Sequence, residues 1–295
     1  MSEFTDEYYL ELLKLKYTNA KTLAEYLARI NTLKKCLSVE TIGEILSSVD
    51  KYYKLREAYP SISTRKNLLT VILVLLRVSG ADTKQWGKLH DDLTRFQEAA
   101  LKRSEPSQKQ LDNYTSFTDI ETKYNQMRDF NPTSRRQNLQ YVLLSIILHL
   151  KPKRADLGSV AIYDKYPTDN KGNYIVLDDG YIVINNYKTA KHHGKYEELL
   201  PIVLINDIRN SIKAYPRDYL FIKEDGLPMC NNTYSAFVKS TFMDLFGRAT
   251  SLSLLRHIYI TEKLDFNKLT IEELEEEAKG MLHTPELQRK YKWCL

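Results

Sequence analysis

The 295-residue chain is poor in cysteine, with only Cys36, Cys230 and Cys294. Three widely spaced thiols exclude a disulfide framework and a zinc site, and they fit a reducing, intracellular compartment. Long apolar runs are lacking too. The longest, around Leu68 to Val78, is broken by Arg77 and is too short to span a bilayer, so it reads as a buried helix. The N-terminus, MSEFTDEYYLELL, is acidic and amphipathic, unlike a secretory signal. Internal repeats and low-complexity tracts are absent, and so is any carboxylate cluster suited to a hard metal ion. The charge excess is small: a net +5 and a pI of about 8.8 permit a polyanionic partner without requiring one. What is present is ordinary for a globular protein, 43% hydrophobic and 27% charged, and the length allows two domains with separate cores.

The first hundred residues read as helical throughout. Leu23, Tyr26, Leu27, Ile30 and Leu33 recur at helical spacing, as do Ile42, Ile45, Leu46 and Val49. A helix near Thr64 to Val78 is apolar around most of its circumference, which predicts the centre of a small bundle. Ser61 to Thr64 supply its cap, and Arg65 and Lys66 follow at once, as a helix start suited to phosphate contact would have them. A solvated first turn explains the same pattern. From Leu101 to Tyr114 the chain turns polar and aperiodic with Pro106 in the middle, which predicts a linker over 103–114 between domains 1–102 and 115–295. Its cations, Lys102, Arg103 and Lys109, suit a strap along a polyanion, or a plain soluble tether.

Beyond the linker, helices are expected over Asp119 to Arg128 and Ser134 to Leu150. The runs Tyr174–Leu177 and Tyr181–Ile184 flank Asp178-Asp179-Gly180, a strong hairpin signal. Further helices are expected near Asn206 to Tyr215, Thr233 to Phe246 and Ser253 to Lys263, and Thr270 with Glu273 forms a capping box for another. The fold class is therefore mainly α with a small β-sheet.

Chemistry concentrates at the far end. Thr284 is a good N-cap and Pro285 suits the first helical position, so a short terminal helix begins there. It carries Tyr291, eight residues after His283. A phenol so placed can attack a phosphodiester if cations converge on the phosphate. Three candidates are Arg154 in L-K-P-K-R-A-D-L, Lys188 in N-N-Y-K-T-A-K-H-H-G-K, and Arg256 in S-L-S-L-L-R-H-I-Y-I-T. Asp156 is placed to hold the Arg154 guanidinium by a charge-assisted hydrogen bond. Arg256 lies in an apolar stretch, where a charge must be paired or line a site. Each has a bland alternative: a helix-terminal charge, a turn lysine, a buried ion pair with a glutamate, a capped-turn histidine.

In that order and with those settings, Arg154, Lys188, Arg256, His283 and Tyr291 resemble the tyrosine recombinase (phage-integrase-like) family, closest in flavour to recombinases of large DNA viruses and virophages. The resemblance covers most of the chain. It implies a helical core-binding domain followed by an α+β catalytic domain, double-stranded DNA as partner, a homo-tetramer assembled on DNA, and no cofactor or metal. It implies that Tyr291 attacks to form a 3′-phosphotyrosyl link, that the two arginines bind the non-bridging oxygens, and that Lys188 protonates the leaving oxygen. Ser253 stands where the family usually has histidine, and the His283–Tyr291 spacing is one shorter than is common. Lys191 and Lys195 share the Lys188 turn. A type IB topoisomerase-like enzyme, or a decayed DNA-binding protein of the same fold, is the alternative. Only Lys292 to Leu295 follow Tyr291, and two readings of Trp293 and Leu295 stand: anchors in a partner's pocket, or a cover on their own domain's core.

Overall fold

The computed structural model describes residues 5–102, 104–130, 132–168 and 171–293. The chain divides into two compact units, Met1–Arg103 and Ser104–Leu295.

The first unit is helical: α1 (Asp6–Lys16), α2 (Ala20–Leu37), α3 (Ile42–Ser47), α4 (Tyr52–Ala58), α5 (Ile62–Val78) and α6 (Lys84–Lys102). As the apolar pattern predicts, α5 is central, with Leu68, Leu69 and every residue from Val71 to Leu76 buried. The Ser61 hydroxyl caps it by accepting from the Thr64 N–H. Asp6 ties two neighbours together, accepting from the Ile42 N–H at 2.7 Å and pairing with Lys34. The Trp86 indole N–H reaches the Leu46 carbonyl at 2.9 Å, so the buried ring leaves no donor unmet.

The second unit comprises α7 (Gln108–Asp112), α8 (Phe117–Phe130), α9 (Arg135–His149), β1 (Ala161–Tyr163), β2 (Tyr174–Val176), β3 (Tyr181–Ile184), α10 (Ala190–His193), β4 (Tyr196–Leu199), α11 (Ile202–Ala214), α12 (Asn231–Phe246), α13 (Leu252–Lys263), α14 (Ile271–Gly280) and α15 (Pro285–Tyr291). The expected hairpin is β2–β3, antiparallel, with Gly180 in its turn at φ +71°. The sheet extends further than the sequence indicated: β1 pairs parallel to β2, and β4 antiparallel to β3. The polar stretch expected as a bare linker is partly folded. It holds α7, whose Ser107–Gln110 capping box is complete, and Asn113 accepts from the Ala249 N–H at 2.7 Å within the second unit. Among the described residues no helix is long and apolar enough to cross a membrane.

Helix α9 runs through the core, buried continuously from Asn138 to Ile147. Such a helix must meet its own polar side chains with internal partners. Asn138 accepts from the Ser211 hydroxyl at 2.5 Å, and Gln140 donates to Asp244 at 2.9 Å. The third partner is Asp207 of α11, 6% exposed. It accepts from the phenols of Tyr124 (2.7 Å) and Tyr141 (2.6 Å) and from the Ser145 hydroxyl. The two phenol rings lie parallel, 5.3 Å apart. One carboxylate thus cross-links α8, α9 and α11. Replacing it leaves three buried donors unmet, so Asp207→Ala should destabilise the protein by about 3 kcal/mol, with Asp207→Asn less severe. Urea unfolding measures this, and a change below about 1 kcal/mol for the alanine variant would show that the network adds little.

Candidate active site

The site is built from turns at the ends of core elements. Helix α9 stops at His149, and the chain passes through Pro152 into a 3₁₀ turn at Ala155–Leu157. Arg154 holds the N-cap position of that turn, in extended conformation. Gly158 locks the turn against α12: a Cβ there would lie 2.7 Å from the Met229 carbonyl oxygen and from Tyr234 Cβ, too close for any side chain.

Arg256 projects from α13 into the core and is 4% exposed. Its Nε donates to the Pro152 carbonyl at 3.3 Å, which brings α13 to the chain just ahead of Arg154. No carboxylate lies within ion-pairing distance of it among the described residues, so the buried pair with a glutamate is not formed. Its Nη2, and Nη1 of Arg154, are buried without a hydrogen-bond partner. Burial pushes the Arg256 pKa down, and the adjacent Tyr291 phenol offsets part of that shift.

His283 follows α14 through a tight stop. The Leu282 N–H reaches the Lys279 carbonyl (3.0 Å) and the His283 N–H the Ala278 carbonyl (3.1 Å), the bonding pattern of a Schellman motif. The left-handed position usually given to glycine is taken by Leu282, at φ +57°. The imidazole is 6% exposed, with both ring nitrogens unpartnered. Burial, and then the nearby charges of Arg256 and Arg154, push its pKa down to about 4.

Tyr291 ends α15, which starts where expected, with Thr284 at the N-cap and Pro285 first. Its ring stacks on His283 with centroids 5.8 Å apart and meets His257 edge-on at 4.7 Å. His257 also fixes the backbone: its Nδ1–H donates to the Tyr291 carbonyl at 2.8 Å. Lys292 then caps the C-terminus of α13, donating to the Leu264 carbonyl at 2.7 Å, and the Trp293 N–H bonds the Thr261 hydroxyl at 3.1 Å. Trp293 stacks on His257 at 4.6 Å and is buried in its own unit's core, so of its two readings the cover is the one formed. Leu295 lies outside the described residues.

One expectation needs correction. Asp156 is buried and feels both Arg154 and Arg256, but no hydrogen bond or ion pair joins it to Arg154, and desolvation leaves its pKa raised. Residues two apart do not face each other on a helical turn. Lys188 is exposed between β3 and α10. The same connection does reach the site: Tyr187, Lys195, Tyr196, Lys279, Leu282 and His283 line a small cleft. Lys195 is held by Glu197 at 2.5 Å, and Lys191 is exposed. Ser253 is exposed one turn before Arg256. In the first unit Lys66 donates to Gln97 at 3.2 Å and Arg65 weakly to the Pro60 carbonyl at 3.5 Å. Lys109 is exposed on α7. The Lys102 side chain and Arg103 lie outside the described residues.

Lys153, not singled out from sequence, is a third cation at this turn. Its side chain is 0% exposed, with Nζ 2.6 Å from Glu198 and 3.0 Å from the Gly280 carbonyl, over the Tyr196 ring. Burial pushes its pKa down against the pull of Glu198. Its place beside Arg154 in K-P-K-R was the available signal, as L-R-H was for His257. Among the described residues no group of three or more His, Cys, Asp or Glu side chains is placed to hold a metal.

No family model matches the sequence, and no curated protein matches it. Solved structures do: the fold is similar to that of lambda integrase. Lambda integrase, solved as a dimer bound to a COC′ core site, aligns over 98% of this chain and 77% of its own with a TM-score of 0.55 at 14% identity. Its 75–356 form, also a dimer on a COC′ core site, aligns over 95% of both chains with a TM-score of 0.53 at 13% identity. At such identities the shared property is the fold.

The His283 shift has a consequence for stability. An unfolded histidine titrates near 6.5, so as pH falls from 6.5 towards 4 the unfolded chain takes up a proton that the folded protein refuses. Stability contributed above pH 6.5 is lost across that window, by about 3 kcal/mol. His283→Gln should flatten this part of the stability–pH curve relative to the parent. Parallel curves for the two proteins between pH 6.5 and 4 would rule out the depressed pKa.

Proposed function

We propose that this chain cuts and rejoins duplex DNA through a 3′-phosphotyrosyl intermediate, as a site-specific recombinase or integrase. The observation that carries this is the unpaired burial of Arg256 beside Tyr291, with Arg154 and His283 close enough to be felt electrostatically and their polar nitrogens unfilled. Buried donors without internal partners suit a ligand rich in acceptors, and two guanidinium forks suit the non-bridging oxygens of a phosphodiester. The fold shared with lambda integrase supports the same reading.

In this reading Tyr291 Oη bonds to phosphorus as the bond to the 5′-oxygen breaks. His283 bonds the phosphate or takes the phenolic proton; its low pKa makes it a weak base in the free protein, and the negative charge of an entering phosphate raises its basicity. Arg154 and Arg256 stabilise the charge that builds on the non-bridging oxygens, preorganised in a site that excludes water. Lys188 protonates the departing 5′-oxygen. Lys195 is a weaker candidate, because its bond to Glu197 raises its pKa and makes it a poorer acid. The phosphotyrosyl ester conserves the energy of the original linkage, so rejoining needs no ATP. Exchange between two duplexes, each cut at paired positions, calls for four copies on DNA. Arg65, Lys66, Lys102, Arg103 and Lys109 are the proposed backbone contacts.

The test begins with duplexes selected from a random library by binding to the parental protein, then nicked so that cleavage traps the adduct. Tyr291→Phe should keep its affinity and form no denaturant-resistant adduct; an adduct with the phenylalanine variant would reassign the nucleophile. Arg256→Lys and Arg154→Lys, which keep charge and lose the planar fork, should each cleave about a hundredfold slower with affinity nearly unchanged. Cleavage by both lysine variants near the parental rate would dismantle the proposed cluster.

A further inference from the structure

Asn173 lies just before β2 and is 6% exposed. Every hydrogen-bonding position of its side chain is used within the second unit. Oδ1 accepts from the backbone N–H of Asn185 (3.0 Å) and of Asn186 (2.8 Å). Nδ2 donates to the carbonyls of Asp156 (3.0 Å) and Asn186 (3.0 Å). A buried carboxamide with all four bonds satisfied is a stiff, direction-specific tie. Two other asparagines reinforce it: Asn185 Nδ2 donates to the Gly172 carbonyl and Asn186 Nδ2 to the Lys171 carbonyl, both at 2.7 Å.

What the tie joins is informative. One end, Asp156, sits in the turn whose N-cap is Arg154. The other, Asn185–Asn186, is where the chain leaves β3, two residues ahead of Lys188. Past that point the Tyr187 phenol bonds the Gly194 carbonyl at 2.9 Å within the same loop, its ring packs on the main core, and Lys188 is exposed. The stem of a lysine is long and flexible, so the site its ammonium can reach is set by where its backbone is anchored.

We propose that Asn173 is a positioning residue for strand cleavage, fixing the base of the Lys188 segment against the turn that carries Arg154. The inference rests on the reading of Lys188 as the proton donor. Displacing a reacting group by about 1 Å costs up to about a hundredfold in rate. Loss of the tie therefore acts on protonation of the leaving oxygen more than on attack.

That distinction makes the role testable. Replacing the bridging 5′-oxygen of the selected duplex with sulfur gives a leaving thiolate that departs with the P–S electron pair and needs no proton. Asn173→Ala should cleave the oxygen substrate about ten- to a hundredfold slower than the parent and the sulfur substrate at close to the parental rate. Asn173→Asp keeps the shape and the two accepted bonds, loses the donated ones and should show the same split, so it serves if the alanine variant does not fold. Melting curves and duplex binding set the folded fraction for each. Equal losses on both substrates would mean a purely structural residue, and no loss on either would remove the role; both overturn the inference. Lys188→Ala, run alongside, separates the levels. Sulfur rescue of Lys188→Ala but not of the Asn173 variants overturns the Asn173 role alone. Absence of rescue in Lys188→Ala overturns the proton-donor reading and this inference with it.

Discussion

The second unit is organised around a guanidinium buried without a counter-charge. Desolvating such an ion costs several kcal/mol, and no ion pair repays it at Arg256. Partial compensation comes from three separate stretches: the Pro152 carbonyl, the Tyr291 phenol and, at longer range, the Asp156 carboxyl. Each stretch is thereby drawn to α13. The end of α9 arrives through Pro152, the following turn through Asp156, and the chain terminus through Tyr291. Arg256 is thus a convergence point in the packing as well as in the proposed chemistry.

Two buried cations a few residues apart in space are handled in opposite ways. Lys153 is saturated, between Glu198, the Gly280 carbonyl and the Tyr196 ring, and joins β4 to the end of α14. Lys151 makes a parallel clasp to Glu277 at 3.0 Å. These lysines hold the framework, and the arginines are left with unfilled donors. Burial first, and then the positive field that results, keeps His283 neutral. An anion entering that field would cancel part of it and raise the histidine's pKa, coupling ligand binding to proton uptake.

Much of this was legible in the sequence because the signals were local. The hairpin followed from two β-rich runs around Asp-Gly, the terminal helix from Thr284-Pro285, and the start of α14 from Thr270 and Glu273, whose capping box is complete. Arg256 was legible as a charge in an apolar stretch. Less legible were features set by tertiary neighbours. Strands β1 and β4 are three and four residues long, and β4 (Y-E-E-L) is half charged, so neither has a period to read. Asn173 looks like a loop residue in K-G-N-Y, and only its four hydrogen bonds to Asp156, Asn185 and Asn186 show otherwise. Trp293 could cover either a partner or its own core, since a large aromatic serves both; the choice is made by His257 and Thr261, more than thirty residues away. The Asp156–Arg154 bond was inferred from proximity in the chain, which a 3₁₀ turn does not honour.

Leu282 is asked for two things that no single residue type supplies well. Its backbone is left-handed, which a side chain with a Cβ adopts at a penalty of roughly 1–2 kcal/mol. Its side chain is 4% exposed in the main core of the unit, which glycine would leave empty. Asparagine, the other common choice for such a backbone, would put an amide among hydrocarbon. Every substitution at this position therefore trades one defect for another, and the residue adjoining the site's histidine has no comfortable alternative. Mutational tolerance at position 282 should accordingly be narrow for reasons of shape and conformation, although Leu282 has no chemistry of its own.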